Sequence, residues 1–315
     1  MKTIRDFDTK NKRVLVRCDF NVPFSENGEI DNDFRIKETV PTISYLTDKG
    51  ADVILMSHLE DGKSLDPVWE KVREYVPGNI KFLDNLRANK GEKENSDEFA
   101  QELASNADIY INDAFGVCHR KHASVSAITK YLPSGAGLLL EKEVKALSRV
   151  LDNPDKPLVA IIGGVKIESK AKVINRFLEI ADKILLNQKI AENIKIRSEK
   201  IVSAKDNIEG FDIGPEAIKE FKEIIKTART IVWAGPLGFF EKEPYDNGTR
   251  KIARAICKNK EAFKVAGGGD TTSAIFEFGL EHDFDHLSTG GGAMLAFLAG
   301  EELPGLKALN YYGKD

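Results

Sequence analysis

The chain contains 315 residues, of which 42% are hydrophobic, and its 46 basic and 50 acidic side chains leave a formal net charge of -4. This length predicts roughly two domains, and the apolar fraction is sufficient for a buried core in each of them. Because the charges almost cancel, the chain has no general electrostatic attraction to nucleic acid or to anionic membranes. We therefore expect neither as a partner, and any anion-binding site must be a local cluster.

Cysteine usage and the start of the chain bear on its compartment. Cys18, Cys118 and Cys257 are scattered and form neither a C-x-x-C pair nor an even-numbered framework, which is typical of a reducing environment. The first residues carry frequent charges and lack the apolar stretch of a signal peptide, and no later segment approaches the length of a membrane span. The sequence predicts a soluble cytoplasmic protein.

Short apolar runs alternate with amphipathic stretches along the chain. The predicted strands are 13–20, 51–58, 80–86, 108–115, 157–164, 183–188, 230–236, 263–269 and 284–292. The predicted helices include 35–50, 96–107, 169–183 and 214–228. Continuous Val/Ile/Leu runs alternating with helical periodicity indicate an α/β fold, with parallel sheets covered by helices on both faces. The segment 138–157 breaks this pattern, since it is a long amphipathic helix followed by Asn and Pro stop signals. We interpret it as a connector between two doubly wound domains.

Polar and basic residues follow the predicted strands of the first half. They are Arg17, Asp19, Asn21, Arg35, His58, Arg87, His119, Arg120 and His122. Any one of them alone is most simply a solvated surface residue or half of a satisfied pair. Ligands of open parallel sheets bind beyond the carboxyl ends of the strands. The group therefore predicts a pocket for a small, multiply anionic ligand, because guanidinium forks match carboxylate and phosphate.

Glycine-rich loops follow the predicted strands of the second half. They read "IIGGVKIESK", "VWAGPLGFFE", "VAGGGDTTSA" and "LSTGGGAMLA". One such loop is explained by a tight turn, but four indicate that backbone N–H groups and helix N-termini approach phosphates. Lys166 and Lys170, four residues apart at a helix start, can face one anion, and Asp270 is a candidate magnesium ligand. The Walker motif and the dinucleotide-binding motif are both absent, which disfavours a P-loop NTPase and a nicotinamide dehydrogenase.

Taken in order, these stretches resemble the phosphoglycerate kinase family over nearly the whole chain. The matching motifs are "VRCDFNVP", "SHL", "NLR", "NDAFG", "HRKHAS", "GGVKIESK", "DIGP", "VWAGPLGFFE", "GGGDTT", "STGGGA" and "LPGLKAL". The resemblance implies two Rossmann-like domains that face each other across a cleft, and it implies a monomer. The expected phosphoglycerate domain is 1–140 plus 303–315, the nucleotide domain is 153–302, and helix 141–152 joins them.

The resemblance also assigns roles to individual residues. Phosphoglycerate would be held by Arg17, Asp19, Asn21, Arg35, His58, Arg87 and Arg120. The magnesium nucleotide would be held by Gly163, Gly164, Lys170, Gly235, Pro236, Glu241, Gly269, Asp270 and Thr271, with Glu241 at the ribose and Asp270 at the metal. The transferred phosphoryl group would contact Arg35, Lys166, Lys170, Gly290, Gly291 and Gly292.

The implied reaction moves the acyl phosphoryl group of 1,3-bisphosphoglycerate to Mg-ADP and yields 3-phosphoglycerate and ATP. It needs no strong general base, because the attacking oxygen of ADP is already anionic. Positioning and charge neutralisation are the main tasks. Closure of the cleft, with the connecting helix as one hinge element, would align the oxygens and exclude water.

The chain departs from the family pattern after "SHL". The family commonly has Gly, Arg and Pro there, whereas this chain has Glu60, Asp61 and Gly62. A substrate-binding arginine is therefore missing and two carboxylates are added beside an anion site. We expect weaker phosphoglycerate binding and hypothesise that Lys63 substitutes in part. An unchanged Michaelis constant in a Lys63→Ala variant would contradict that substitution.

A second departure concerns the expected adenine pocket. Asn187, Gln188 and Lys189 stand where the family has a glycine-rich turn, a large deletion follows them, and Ala234 replaces an asparagine. We predict a looser pocket and relaxed nucleotide specificity.

The two departures also admit an alternative function. The chain would then be a catalytically impaired family member that serves as a nucleotide-binding scaffold or regulator. Joint retention of Arg35, Lys166, Lys170 and Asp270 argues against it. A coupled assay that follows ATP consumption with 3-phosphoglycerate separates the two hypotheses.

Overall fold

The structure is a computed structural model that describes residues 1–60, 63–76 and 78–313. The chain divides into two compact units. Unit 1 comprises Met1–Val144 and Glu302–Asp315, and unit 2 comprises Lys145–Glu301. Each unit contains a parallel sheet with helices, so the predicted α/β class with two parallel-sheet domains is confirmed. The domain boundaries that we derived from the sequence stay a prediction.

Strands and helices alternate along most of the described chain. The strands are β1 (Arg13–Arg17), β2 (Asp52–Met56), β3 (Lys81–Phe82), β4 (Ile109–Asn112), β5 (Ser134–Ala136), β6 (Leu158–Ile162), β7 (Lys183–Leu186), β8 (Ile201–Ser203), β9 (Asn207–Ile208), β10 (Asp212–Ile213), β11 (Thr230–Ala234), β12 (Phe263–Gly267) and β13 (His286–Ser288). The helices are α1 (Phe34–Asp48), α2 (Asp66–Tyr75), α3 (Lys90–Glu94), α4 (Asp97–Ala104), α5 (Leu138–Asp152), α6 (Glu168–Ile180), α7 (Gln188–Asn193), α8 (Pro215–Thr227), α9 (Asn247–Lys258), α10 (Gly269–Glu277), α11 (Gly291–Leu298) and α12 (Pro304–Ala308).

The sheet of unit 1 has the order β3-β2-β1-β4-β5, and all of its pairings are parallel. Its central strand β1 is buried on both faces because side chains alternate along a strand. Val14 and Val16 pack on one face in the cluster that contains residues of α1 and α2. Leu15 packs on the other face with Phe99 of α4 and with Tyr110. The strand order reverses between β1 and β4, which places the topological switch point of unit 1 there.

The sheet of unit 2 has the order β13-β12-β11-β6-β7-β8, again with parallel pairings. This is the doubly wound order, with its switch point between β6 and β11. The hairpin β9–β10 pairs separately and is antiparallel. It is joined to α8, since the Asp206 carboxylate before the hairpin accepts the N–H groups of Glu216 and Ala217 at 2.9 and 2.8 Å. Pro215 in the first turn also favours a helix start at this point.

Each of the nine predicted apolar runs contains a strand. The four helices that we predicted from the sequence begin and end within three residues of their predicted boundaries. The sequence reading missed β5, β8 and the hairpin β9–β10. These strands are two or three residues long and lack a continuous apolar run. Among the described helices, none has both the length and the apolar character needed to cross a bilayer.

Candidate active site

The predicted anion-binding residues of unit 1 follow its strands at one edge of the sheet. Arg17 is the last residue of β1, and Asp19 and Asn21 lie in the segment that leaves it. His58 follows β2, while Arg87 lies in a 3₁₀ turn after β3. The carboxyl ends of neighbouring parallel strands lie at the same edge of a sheet. The fold therefore brings together side chains that lie far apart in sequence, because parallel strands are joined by long crossover connections.

Arg17 is completely buried and its guanidinium has several internal partners. Nε donates to Ser124 Oγ at 2.8 Å, one terminal nitrogen donates to the carbonyl of Cys18, and the other lies 3.8 Å from Glu92 Oε1. Glu92 is itself fully buried and accepts the N–H and the hydroxyl of Ser124. A buried ion pair is tolerated only with such supporting hydrogen bonds. The contacts of Arg17 therefore lie within unit 1.

His58 lies between the buried network and the other basic residues. Arg17 Nη2 is 3.2 Å from His58 Nδ1. Arginine can only donate, so Nδ1 must accept and the ring proton resides on Nε2. Burial lowers the pKa of His58 to about 3, and Arg17 reinforces the effect. The imidazole is therefore neutral at physiological pH and presents Nε2–H as a donor.

Asp19, Asn21 and Arg35 form a connected group. Arg35 Nη1 donates to the carbonyl of Asn21 at 2.9 Å and lies 3.3 Å from Asp19 Oδ2. Burial alone would raise the pKa of Asp19, but the Arg35 guanidinium opposes it and the net shift is downward. The aspartate is therefore ionised at neutral pH and orients Arg35, which is partly exposed.

Arg87, Arg120 and Glu60 form the third part of the unit 1 site. Glu60 Oε2 lies 3.4 Å from Arg87 Nη1, and Glu60 Oε1 lies 3.7 Å from Arg120 Nη1. Arg87 Nε and Nη2 are buried and have no hydrogen-bond partner. Asp61 and Gly62, which belong to the same predicted departure, lie outside the described residues. Lys63 Nζ lies 5.9 Å from the centroid of the Phe24 ring, and its predicted substitution for an arginine stays a prediction.

Sequence reasoning missed the residues that hold this site in place. Glu92 carries no motif signal, and Ser124 closes the matching stretch "HRKHAS" without having been singled out, so the role of both is visible only from their burial against Arg17. Asn85 accepts the N–H groups of Leu59 and Arg87 and donates to the carbonyl of Lys63 at 2.8 Å. Its amide therefore ties the segment after β2 to the turn that carries Arg87. The matching "NLR" stretch was the one available signal for Asn85.

Two glycine loops meet by their backbones at the switch point of unit 2. Gly163 N–H donates to the Ala234 carbonyl at 3.1 Å, and Gly164 N–H donates to the Pro236 carbonyl at 2.7 Å. A Cβ on Gly163 would overlap the carbonyl oxygen of Pro236, and one on Gly235 would overlap that of Gly163. Gly235 also has a φ of +101°, which favours glycine. These glycines are therefore required for close backbone approach, whatever ligand binds.

Lys170 in α6 is almost buried, and its Nζ donates to the Ala234 carbonyl at 3.0 Å. Burial lowers its pKa to about 8, against the attraction of Asp270. Lys166, which lies just before α6, is exposed. The two predicted phosphate-binding lysines thus differ in burial, and Lys170 bonds to the last residue of β11.

Several helices of unit 2 begin beside the carboxyl ends of strands, and three of them follow the quoted glycine-rich loops. They are α6, α10 and α11, which follow β6, β12 and β13. Helix N-termini present unpaired N–H groups and attract anions. A Cβ on Gly291 would lie 3.1 Å from Gly268 Cα, so the last two loops also pack closely. Gly290 N–H already donates to Ser288 Oγ at 3.2 Å, and Gly235 N–H donates to Thr271 Oγ1 at 2.7 Å.

A cavity of about 440 Å³ opens beside these loops and lies entirely within unit 2. Its volume is in the range that holds a small molecule or cofactor. The lining residues include Gly164, Asn187, Gln188, Lys189, Phe211, Asp212, Pro236, Phe239, Glu241 and Asp270. Phe211 and Phe239 are 48% and 44% exposed, unusually high values for large apolar side chains. Sequence reasoning missed Phe211 because the hairpin before α8 was not predicted, and it did not single out Phe239, although that residue lies in the quoted loop "VWAGPLGFFE".

Asp270 was predicted as a magnesium ligand, and its position is compatible with that role. It is exposed in the first turn of α10 and lines the cavity. Within the described part of the chain, no group of three or more His, Cys, Asp or Glu side chains is arranged to hold a metal ion. Magnesium is commonly bound by one or two carboxylates together with substrate phosphates and water. The donor set therefore fits a metal that arrives with a nucleotide.

The phosphoglycerate kinase family model matches residues 4–83, 65–199 and 186–301. The phosphoglycerate kinase of Dictyoglomus turgidum is 39% identical over 386 aligned positions, which cover 97% of this chain and 97% of that protein. That of Aquifex aeolicus is 37% identical over 390 positions, which cover 98% of each chain. These alignments are longer than the 315 residues of the chain, so they contain internal gaps in it.

Two solved structures match over almost their full length. Phosphoglycerate kinase from Coxiella burnetii has a TM-score of 0.83 at 33% identity and covers 99% of each chain. The enzyme from Pyrococcus horikoshii OT3 has a TM-score of 0.87 at 29% identity and covers 98% of each chain. Sequence and fold therefore agree on one assignment, and the chain belongs, as a shortened member, to the phosphoglycerate kinase family.

Proposed function

We propose that this kinase transfers the acyl phosphoryl group of 1,3-bisphosphoglycerate to ADP, giving 3-phosphoglycerate and ATP in a reversible step of glycolysis. The observation that carries the proposal is the distribution of anion-binding groups. The switch point of unit 1 carries arginines and a neutral histidine, whereas that of unit 2 carries glycine loops, helix N-termini and a buried lysine. This distribution suits a small phosphorylated acid in unit 1 and a nucleotide in unit 2.

In unit 1, the proposed ligand is the phosphoglycerate. The buried, unpartnered donors of Arg87 are suited to a phosphate or carboxylate oxygen. His58 can donate through Nε2–H, and Arg35 and Arg120 are partly exposed at the same site. Arg17 acts through His58, because its own donors are occupied inside the unit. We therefore assign Arg17 the role of positioning His58.

In unit 2, the proposed ligand is the nucleotide. Its base would enter the cavity beside Phe211 and Phe239, and Glu241 at the cavity wall would bind the ribose. Its phosphates would face the N-termini of α6 and α10 and the Lys170 ammonium. Asp270 would hold magnesium, which supplies charge neutralisation on the phosphate oxygens when it is bound.

The chemistry requires positioning more than proton transfer. A bond forms between a terminal oxygen of ADP and the transferred phosphorus, while the bond from phosphorus to the acyl oxygen breaks and the carboxylate leaves. The attacking oxygen is already anionic and the acyl oxygen leaves as a carboxylate, so the transfer needs no base, and Arg35 and Lys170 would act by cancelling the repulsion between the anions. Burial of Lys170 strengthens its attraction for phosphate, since the local dielectric constant is low.

The decisive experiment is a coupled assay of ATP consumption with 3-phosphoglycerate. We expect phosphoglycerate-dependent turnover, which Lys170→Met abolishes or strongly reduces. Lys172→Met is the matched control, because Lys172 lies on the same helix, is exposed and pairs with Glu301. Nucleotide binding without turnover would instead favour the scaffold or regulator alternative.

A further inference from the structure

Glu60 places a carboxylate on two arginines of the proposed phosphoglycerate site. Its two oxygens lie 3.4 Å from Arg87 Nη1 and 3.7 Å from Arg120 Nη1. The carboxylate therefore bridges the guanidinium groups in the manner of a bound anion. The side chain of Arg87 is only 5% exposed, whereas that of Glu60 is 46% exposed.

Arg87 is only partly satisfied by this contact. Its Nε and Nη2 are buried and have no hydrogen-bond partner, although Nη1 faces Glu60. Leaving charged donors buried and unpaired is costly, and burial lowers the pKa of Arg87, with Arg120 adding to the effect against Glu60. The guanidinium is therefore arranged for a larger anion than the one that Glu60 supplies.

The backbone of Glu60 is fixed while its side chain retains an exit to solvent. Glu60 N–H donates to Asn21 Oδ1 at 3.3 Å. The preceding residue, Leu59, exchanges two hydrogen bonds with the Asn85 amide. The carboxylate is thus held near the arginines at high effective concentration, yet it can rotate away without unfolding the segment.

We propose that Glu60 is an affinity-determining residue that occupies the Arg87–Arg120 pair until an anionic substrate displaces it. This inference rests on the proposed function, because the displacing ligand is taken to be phosphoglycerate. A small anion that meets only these two arginines competes poorly with a tethered carboxylate. A ligand with several anionic groups also contacts other donors of the site and can therefore displace it. Glu60 thus raises the Michaelis constant for substrate and lowers the affinity for simple anions in the same proportion.

The test compares Glu60→Gln and Glu60→Ala with the unaltered chain by calorimetric titration of 3-phosphoglycerate and, separately, of inorganic sulfate. Glu70→Gln is the matched control, since it makes the same charge change at an exposed position on α2. Because the Glu60 carboxylate is half-exposed, its two ion pairs are weak, and losing both predicts roughly twofold to thirtyfold tighter binding of both anions. The Michaelis constant for 3-phosphoglycerate falls accordingly, while that for ATP does not change.

The two possible failures are distinguishable. The inference is overturned if neither Glu60 variant binds sulfate or 3-phosphoglycerate more tightly than the Glu70 variant does, with all variants showing the thermal unfolding of a folded chain. Using both Gln and Ala removes the objection that a glutamine amide oxygen still accepts from the arginines. If sulfate binds more tightly to both variants but no protein binds phosphoglycerate, the inference about Glu60 holds and the proposed function fails.

Discussion

Arg17 Nη2 lies 3.2 Å from His58 Nδ1, and this contact joins a fully buried ion network to the edge of unit 1 at which we propose that substrate binds. The same guanidinium bonds to Ser124 and to the Cys18 carbonyl and faces Glu92. The Arg17 side chain therefore sets the tautomer of His58 and offsets the negative charge of the buried Glu92 carboxylate. A lysine in its place has three donors on a single atom and cannot reproduce that fork.

We expect Arg17→Lys to lower the free energy of unfolding by about 1–3 kcal/mol, because lysine keeps the charge but leaves buried hydrogen-bonding groups of this network unpaired. The measurement is a urea titration followed by fluorescence. Arg13→Lys is the matched control, because Arg13 pairs with Asp108 at the surface, and it should cost less than about 1 kcal/mol. Equal losses in the two variants would show that the Arg17 network adds nothing to stability.

Asp113 provides a second prediction, on pH and stability. Its Oδ1 accepts the N–H groups of Leu139 and Leu140 at the start of α5, and Oδ2 has no partner. Burial raises the pKa of Asp113 to about 7. A folded-state pKa above the unfolded value favours the protonated form in the folded state. This contribution is therefore complete below about pH 4, the unfolded value, and is lost as the pH rises to about 7.

Asp113→Asn should remove this part of the pH dependence, because the amide keeps the accepting oxygen without a charge. We expect the variant to lose less stability than the unaltered chain between pH 4 and 7, by on the order of 2–4 kcal/mol. Asp108→Asn is the control. Hydrogen bonds from Arg13 lower the pKa of Asp108 to about 2. The contribution of Asp108 to stability is therefore lost only as the pH falls below about 4. Parallel slopes for all three proteins over pH 4–7 would contradict the assignment.

The main strands could be predicted because buried parallel strands are apolar on both faces. β1 and β6 appear as continuous Val, Leu and Ile runs for this reason. β5 has the sequence Ser-Gly-Ala and exists only because it pairs with β4 at the sheet edge. Its formation depends on a neighbouring strand and not on its own pattern.

The site could be predicted in part, since its charged residues follow strands and match known motifs. The partners of these residues could not be predicted. Glu92 is far from Arg17 in sequence and lies in a five-residue helix without a motif. Glu60 was predicted to lie beside an anion site, but its bridging of Arg87 and Arg120 requires coordinates. The effects of Glu92 and Glu60 on the arginines depend on burial and distance, which a single sequence does not specify.

Gly235 and Gly164 allow steric overlap to be separated from backbone strain. Both have a positive φ, of +101° and +86°. A Cβ on Gly235 would overlap the Gly163 backbone, whereas a Cβ on Gly164 would meet nothing within 4 Å. Gly164→Ala should therefore cost about 1–2 kcal/mol for the backbone conformation alone. Gly235→Ala should cost about 1–3 kcal/mol more, because the two loops must separate. Thermal and urea unfolding provide the measurement. If the two variants lost the same amount of stability, the close contact at Gly235 would be contradicted.

Lys170 should make nucleotide binding dependent on pH. Its pKa of about 8 in the unliganded protein means that it loses its proton as the pH rises through that value. The proposed phosphate contact favours the charged form, so affinity for ADP should fall between about pH 7 and 9. Titrations across this range should show the decline in the unaltered chain and in Lys172→Met. Lys170→Met should bind more weakly and lack the decline, and a decline that persists in it would assign the dependence to another group.

The aromatic wall of the unit 2 cavity bears on base selectivity. Phe239 N–H donates to the Phe211 carbonyl at 2.8 Å, so the two residues are held together, and Lys189 Nζ lies 5.6 Å from the Phe211 ring centroid. Stacking on an aromatic face is worth about 1–3 kcal/mol and accepts any base. A cavity that relies on stacking therefore discriminates weakly between purines, in keeping with the relaxed specificity that the sequence predicts.

We expect the dissociation constants of ADP and GDP to differ by less than about tenfold, because stacking carries little hydrogen-bond selection. Phe211→Ala should weaken both by the same factor, between about fivefold and a hundredfold. Phe278→Ala is the matched control, since Phe278 lies beneath the Arg250 guanidinium and is absent from the cavity wall. Parallel calorimetric titrations of the two nucleotides provide the measurement. A preference for ADP beyond a hundredfold, or a loss confined to one base in Phe211→Ala, would mean that polar groups such as Asn187 and Gln188 select the base instead.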